Sequence, residues 1–223
     1  MSVSILMPLY NGIEFLDEAI VSVKNQTYHR WEVIIGINGH PKGSDVYLAA
    51  KGFEGCRIRV IEYDTKGKPN TLNKMVEDAS YDTICLLDVD DKWLPTKLEK
   101  QIALKSEYDV IGTSCQYFGA RREIPLIPLG EFDTRYIFRV NPIINSSCMI
   151  NKKDAFWNDI FGVEDYDMWF RLAFEKKTFY NVPEVLTLHR IHPASHFNNV
   201  NHNFLPILKD KWRHKFMGLK PAP

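Results

Sequence analysis

An α/β fold built on one mostly parallel central sheet is predicted by three features of this 223-residue chain. Short β-rich apolar segments alternate with helical repeats along its first part. Gly, Pro and Asn turns separate them, with no internal repeat or low-complexity linker. One segment, 83–87, is apolar on both faces, as a strand in the middle of such a sheet must be, and it ends abruptly in three carboxylates.

The first strand is expected over 3–7. Pro8-Leu9-Tyr10-Asn11-Gly12 then turns the chain into a helix with Phe15, Leu16, Ala19, Ile20 and Val23 on its apolar face. Residues 31–37 predict the second strand, Asn38-Gly39-His40-Pro41 a turn, and 45–51 a helix. A third strand over 58–63 leads to Gly67, Lys68 and Pro69, which open a helix carrying Leu72, Val76 and Ala79 on one face. The fourth strand runs into Asp88-Val89-Asp90-Asp91, and Pro95 suits the first turn of the next helix. Further strands are expected over 110–118, 143–150 and 185–191, with a short helix over 152–157. Tyr166, Trp169, Phe170 and Ala173 mark a longer helix. Residues 119–142 read as loop with short pieces of structure.

With 45% hydrophobic residues the chain can bury one sizeable core. The 28 basic residues balance the 28 acidic ones, so no overall charge draws it to nucleic acid. Cys56, Cys85, Cys115 and Cys148 are scattered, form no Cys-x-x-Cys, and read as reduced core residues of a cytoplasmic protein. The N-terminus lacks a basic leader, and no apolar run has the length of a transmembrane segment. Membrane contact is therefore expected only from the surface. The tail offers one place, where Lys209, Lys211, Arg213, Lys215 and Lys220 oppose Asp210, with Trp212 and Phe216 among them. A solvated terminal helix is the other reading. His196 and His202 follow His192 at irregular spacing that defines no zinc site.

Asp88, Asp90 and Asp91 fall at the carboxyl end of a central strand, the edge where open α/β sheets bind ligands. Acids this close repel unless a cation neutralises them, and oxygen ligands favour Mn²⁺ or Mg²⁺. The alternative is a solvated turn that caps the next helix.

Four motifs carry a resemblance to a known family. They are Ser4-Ile5-Leu6-Met7-Pro8-Leu9-Tyr10-Asn11, Ser22-Val23 with Gln26-Thr27-Tyr28, Asp88-x-Asp90-Asp91-x-Trp93-x-Pro95-x-Lys97-Leu98, and Glu164-Asp165-Tyr166-Asp167-x-Trp169-x-Arg171. In this order they resemble the family 2 glycosyltransferases of GT-A fold, over 3–192. The resemblance implies transfer of a sugar, most readily from a UDP-hexose, to a hydroxyl of a glycan or related acceptor, with inversion. It also implies a domain over 1–192, with a nucleotide-sugar half (1–118) and an acceptor half (119–192), and a tail over 193–223.

The resemblance implies residue roles too. Pro8, Tyr10 and Asn11 would line the nucleotide edge, where a tyrosine ring stacked on a base contributes about 1–3 kcal/mol; otherwise Tyr10 is a half-buried loop aromatic. Asn38 stands where the family usually has an acid, and Ile37 replaces another. An amide still accepts the uracil imino hydrogen but without charge, so uridine preference is weakened. Lys66, Lys68 and Asn73 would approach phosphate near a helix start. Asp88, Val89 and Asp90 would face the donor. Asp90 and Asp91, with His192, would bind the cation, and Arg190 would clamp charge. Asp165 would be the catalytic base, with Glu164 and Trp169 on the acceptor side. Glu164, Asp165 and Asp167 also suit a helix first turn. Pocket shape would come from 119–142 and 145–147. A sugar nucleotidyltransferase would need a Gly-rich loop after the first strand, which 8–12 lack. Ile37 and Asn38 motivate one more alternative, a glycan- or nucleotide-binding module of weakened catalysis.

Overall fold

The computed structural model describes residues 1–160, 162–193 and 204–218. Its sheet runs in the order β3-β2-β1-β4-β8-β6-β9-β5, with β7 paired to β9. The parallel half comprises β1 (Val3–Leu9), β2 (Trp31–Asn38), β3 (Ile58–Tyr63) and β4 (Thr83–Leu86). The crossovers of this half carry α1 (Leu16–Lys24), α2 (Asp45–Lys51) and α3 (Lys68–Asp78). β5 (Lys92–Trp93) and α4 (Lys97–Leu104) follow the acidic turn. The far half holds β6 (Val110–Gly119), β7 (Gly130–Glu131), β8 (Met149–Asn151), α5 (Glu164–Phe174) and β9 (Phe179–Ile191). The long ladders are parallel, whereas the antiparallel ones span only two or three residues each.

Alternation along β1 explains how one sheet serves two layers. Ile5 and Met7 point into one apolar cluster with Ile20, Val33, Ile35 and Leu98, and Leu6 points into the other with Ile34, Leu72, Trp169 and Phe170. Every residue of β4 is buried, as expected of a strand between β1 and β8. Gly67 enters α3 at φ 86°, and Pro69 occupies its tolerated first turn.

Three expectations need correction. Residues 143–150 form no continuous strand: a 3₁₀ turn over Asn145–Ser147 precedes the short β8, because Ser147 N–H returns to Ile144 O at 2.8 Å. The helix expected over 152–157 is only a 3₁₀ turn, Lys152–Asp154. The last strand begins six residues earlier than 185, at Phe179, since β6 pairs it along its whole length through a bulge. There Gly112 is required, because a Cβ would lie 2.0 Å from Asn181 Oδ1. Asn181 is buried and donates from Nδ2 to Pro128 O (2.7 Å) and Pro142 O (2.8 Å), pinning both ends of an otherwise irregular segment.

The tail forms α6 (Phe204–Phe216), which packs on α5. Trp212, expected among solvated charges, is only 3% exposed and stacks on Phe170 at 6.0 Å. Its indole N–H donates to Asp167 Oδ1 at 2.7 Å, and Lys211 reaches the same oxygen at 3.0 Å. Asp167 is wholly buried, so its place in the acidic first turn serves this latch. Three cysteines are buried as expected, but Cys56 is exposed. His196, His202 and Lys220 lie outside the described residues. No helix among the described residues is long and apolar enough to cross a membrane.

Candidate active site

The carboxyl ends of β1, β2 and β4 share one edge of the sheet. Leu87 N–H still bonds Leu6 O (3.0 Å), which makes Asp88 the first residue released from the ladder. Its own N–H donates to Ser146 Oγ at 3.1 Å, and its carboxylate accepts from Lys68 Nζ (2.6 Å) and Asn145 Nδ2 (3.2 Å). Burial works against the Asp88 charge, yet Lys68, Asn145 and His189 outweigh it and hold the carboxyl below its usual range.

The other two acids divide their tasks. Asp91 is 1% exposed, and its oxygens are taken by His189 Nδ1 (2.9 Å) and the Arg190 N–H (2.8 Å). Burial opposes the His189 imidazolium, but the charge and hydrogen bond of Asp91, helped by Asp90 and Asp88, push it up to about 9. The result is a buried ion pair that stitches the acidic turn to β9. Asp91 therefore has no surface to offer a cation, contrary to expectation. Asp90 keeps an accessible carboxylate, with Oδ2 3.1 Å from His192 Nε2. Burial raises its pKa, and the charges of Asp91 and Asp88 raise it further.

Asp165 occupies the first turn of α5. Its Oδ2 accepts from Asn141 Nδ2 at 3.0 Å and its Oδ1 from the Tyr166 N–H at 2.7 Å. Burial and then the charge of Glu164 push its carboxyl up to about 6, against the opposing pull of Asn141, Tyr166 and Lys68. Lys68 connects the two acid groups: burial disfavours its ammonium, but Asp88, Glu164 and Asp90 hold it on, and its charge acts in turn on Asp165. One lysine thus senses both the acids after β4 and those opening α5.

The remaining expected positions separate into those near the sheet edge and those committed to the fold. Tyr10 (60% exposed) and Asn11 stand just beyond β1, and the Tyr10 ring lies 5.1 Å from that of His40. Pro8 lies in β1 opposite Gly36, and Asn38 ends the neighbouring β2. Val89 is buried beside Gly12, and Lys66 is exposed before α3. Three others are committed to the fold. Asn73 spends both amide atoms on the backbone of Trp157, at 2.8 and 2.9 Å, so it has none directed to phosphate. Trp169 is completely buried and has no face for an acceptor. Arg190 is held between the rings of Phe15 and Phe118, 4.3 Å from each centroid, with Nε donating to Asp90 O (2.9 Å) and Nη2 3.2 Å from Glu18. That makes it a pin for the acidic turn, where a charge clamp on the donor was expected.

Residues 4–160 match the family model Glycosyl transferase family 2. The chain belongs to that family. Among curated relatives, O-antigen biosynthesis glycosyltransferase WbnJ of Escherichia coli is 27% identical, over 86% of this chain and 81% of its own. Amylovoran biosynthesis glycosyltransferase AmsE of Erwinia amylovora is 24% identical, over 82% of this chain and 74% of its own. S. aureus TarS, solved with UDP-GlcNAc, shares the fold with a TM-score of 0.74 at 15% identity, over 97% of this chain and 72% of that one. The mannosyltransferase PcManGT from Pyrobaculum calidifontis, solved with GDP-Man and Mn²⁺, gives 0.67 at 13% identity, over 99% and 65%. This glycosyltransferase therefore has the expected GT-A fold.

The donor set of the glycosyltransferase also bears on a divalent ion. Asp90 Oδ2 and His192 Nε2 stand 3.1 Å apart, about the separation of two adjacent octahedral ligands with bonds of about 2.1 Å. One carboxylate and one imidazole suit Mn²⁺ better than Mg²⁺, which prefers oxygen throughout. No group of three or more His, Cys, Asp or Glu among the described residues is placed to hold a metal. An ion here would need oxygens from a second molecule, and a diphosphate supplies them. Sequence reasoning missed His189 as the Asp91 partner, and missed Asn141 altogether. Neither has a local signal, since each meets its acid across a long stretch of chain.

Proposed function

We propose that this glycosyltransferase passes a hexose from a nucleotide diphosphate sugar, UDP-linked in the first instance, to a hydroxyl of a glycan or related acceptor, with inversion and with a divalent cation. One observation carries the reading: a carboxylate raised to about 6, Asp165, shares the reach of Lys68 with the acids that follow β4. Donor binding is assigned to 1–118 and acceptor binding to 119–192. Tyr10 and Asn38 would meet the base, and Lys66 and Lys68 the phosphates.

In this reading Asp165 takes the acceptor hydroxyl proton while that oxygen bonds to the anomeric carbon. The bond from the anomeric carbon to the diphosphate breaks, and its electron pair leaves on the nucleotide. Glu164 would hold acceptor hydroxyls. Asp90 and His192 would hold the cation, which supplies Lewis-acid neutralisation of the departing diphosphate. The neutral Asn38 makes base choice permissive, because an uncharged amide can both accept and donate.

The reading is tested by a panel of UDP-, GDP- and dTDP-sugars with and without Mn²⁺. One donor should be hydrolysed slowly in a Mn²⁺-stimulated manner and should stabilise the fold, by about 2.7 kcal/mol at a hundredfold excess over Kd. Absence of both effects with every donor removes the proposal.

We also propose that the tail meets an anionic membrane beside α6, where Arg213 and Phe216 line a concavity of about 700 Å³ with Tyr136, Arg139 and an Arg135 paired to Asp133. Arg139→Glu with Arg213→Glu should abolish co-sedimentation with phosphatidylglycerol vesicles. Unchanged co-sedimentation would refute the assignment.

A further inference from the structure

Two asparagines four residues apart stand on two of the site's carboxylates. Asn141 Nδ2 donates to Asp165 Oδ2 at 3.0 Å, and Asn145 Nδ2 donates to Asp88 Oδ2 at 3.2 Å. An ionised carboxylate can only accept, so both amides must turn their N–H groups to the acids. Their carbonyl oxygens are left over. Asn141 Oδ1 and Asn145 Oδ1 are both buried without a hydrogen-bond donor, and so is Glu164 Oε2, on a residue 8% exposed. Most buried polar atoms find a partner. Asn181 Oδ1 and the indole nitrogens of Trp31, Trp157 and Trp169 also lack one, but the three acceptors beside Asp88 and Asp165 lie on or next to the site's acids, where a ligand that brings donors would meet them. A phosphate or carboxylate would add only acceptors. A sugar ring brings O–H groups at adjacent carbons.

We propose that Asn141 Oδ1 is a hydroxyl-binding subsite that receives the acceptor hydroxyl next to the one that reacts, so that the acceptor must carry a vicinal diol. The inference rests on Asp165 as the base. The reacting hydroxyl directs its only proton to Asp165 and has none left for Asn141. A hydroxyl on the next carbon does, and Asn141 carries its oxygen on the same amide whose Nδ2 touches Asp165 at 3.0 Å. Asn141 then acts twice, binding the acceptor through its oxygen and positioning Asp165 through its N–H. The segment that presents it is held in place by Asn181 on the Pro142 carbonyl, at 2.8 Å.

The test uses p-nitrophenyl monosaccharides as acceptor probes, together with the monodeoxy form of whichever one accepts, lacking the neighbouring hydroxyl. Removal of that hydroxyl should cost wild type about 10- to 100-fold in kcat/KM. Asn141→Leu should show the same loss with the intact probe and little further loss with the deoxy probe. Asn141→Asp keeps an acceptor oxygen but loses the N–H, and should retain discrimination between the probes. Asn141→Leu should also move the acid limb of the rate profile to higher pH, with Glu164, Lys68, Cys148 and Tyr166 the other ionisable groups coupled to Asp165. Losses from the variant and from the deoxy probe that multiply independently, or an unmoved acid limb, would overturn the subsite. Donor hydrolysis with water as acceptor separates the two readings: if it persists in Asn141→Leu while the coupling is absent, only this inference fails.

Discussion

Asp165→Asn is expected to lower kcat for sugar transfer by about 10²- to 10⁴-fold, the usual contribution of a positioned general base. Donor affinity should hardly change, because among the described residues Asp165 bonds to Asn141 and the Tyr166 N–H. The new amide can keep both partners if Asn141 turns its side chain over, so the loss reports on proton acceptance rather than on collapse of the turn. The pH dependence supplies an independent check. Burial and Glu164 raise the Asp165 carboxyl to about 6, so the proton-accepting form is present above that pH and is lost as pH falls through it. Wild-type kcat/KM should therefore drop about tenfold per pH unit below about 6, and the variant should lack that limb. A variant as fast as wild type, or one with the same limb, removes Asp165 from its role.

The second large effect separates Asp90 from Asp91. Asp90→Asn, or His192→Ala, should weaken Mn²⁺ binding by at least about 10–100-fold and abolish stimulation at low Mn²⁺, while the protein stays folded. Asp91→Asn should act on the fold instead. It leaves the buried His189 imidazolium without its counter-charge, and losing one partner of a buried pair costs about 3–5 kcal/mol. Mn²⁺ titrations beside melting curves distinguish these outcomes. If Asp91→Asn lost metal response at an unchanged melting point, the division of labour drawn between the two acids would be wrong.

Much of the parallel half was legible because its signals are local. Alternating apolar residues, Gly67 and Pro69 at the start of α3, and the charge run after β4 each sit within a few residues of the feature they specify. The far half was not, because its short pieces are fixed by partners remote in sequence. Asn181 ties the Pro128 and Pro142 carbonyls, Asn73 ties Trp157, and Tyr166 Oη bonds the Ile137 carbonyl. The same limit shaped the site. The sequence points to Asp88, Asp90, Asp91 and Asp165, but their tasks depend on His189, His192, Asn145 and Asn141, which approach only in the folded chain. The resemblance puts Trp169 and Arg190 near substrate through their place in the motifs alone. Complete burial of Trp169, and the Phe15 and Phe118 rings with the Asp90 carbonyl around Arg190, commit both to the fold, and motif spacing encodes neither.

The stereochemistry of the product tests the central claim most directly. The proposed role of Asp165 as a base facing the departing diphosphate goes with a direct displacement at the anomeric carbon. Proton NMR of the first product formed, before any mutarotation, should show an anomeric configuration opposite to that of the donor sugar. A retained configuration would require a different chemistry and would contradict the account.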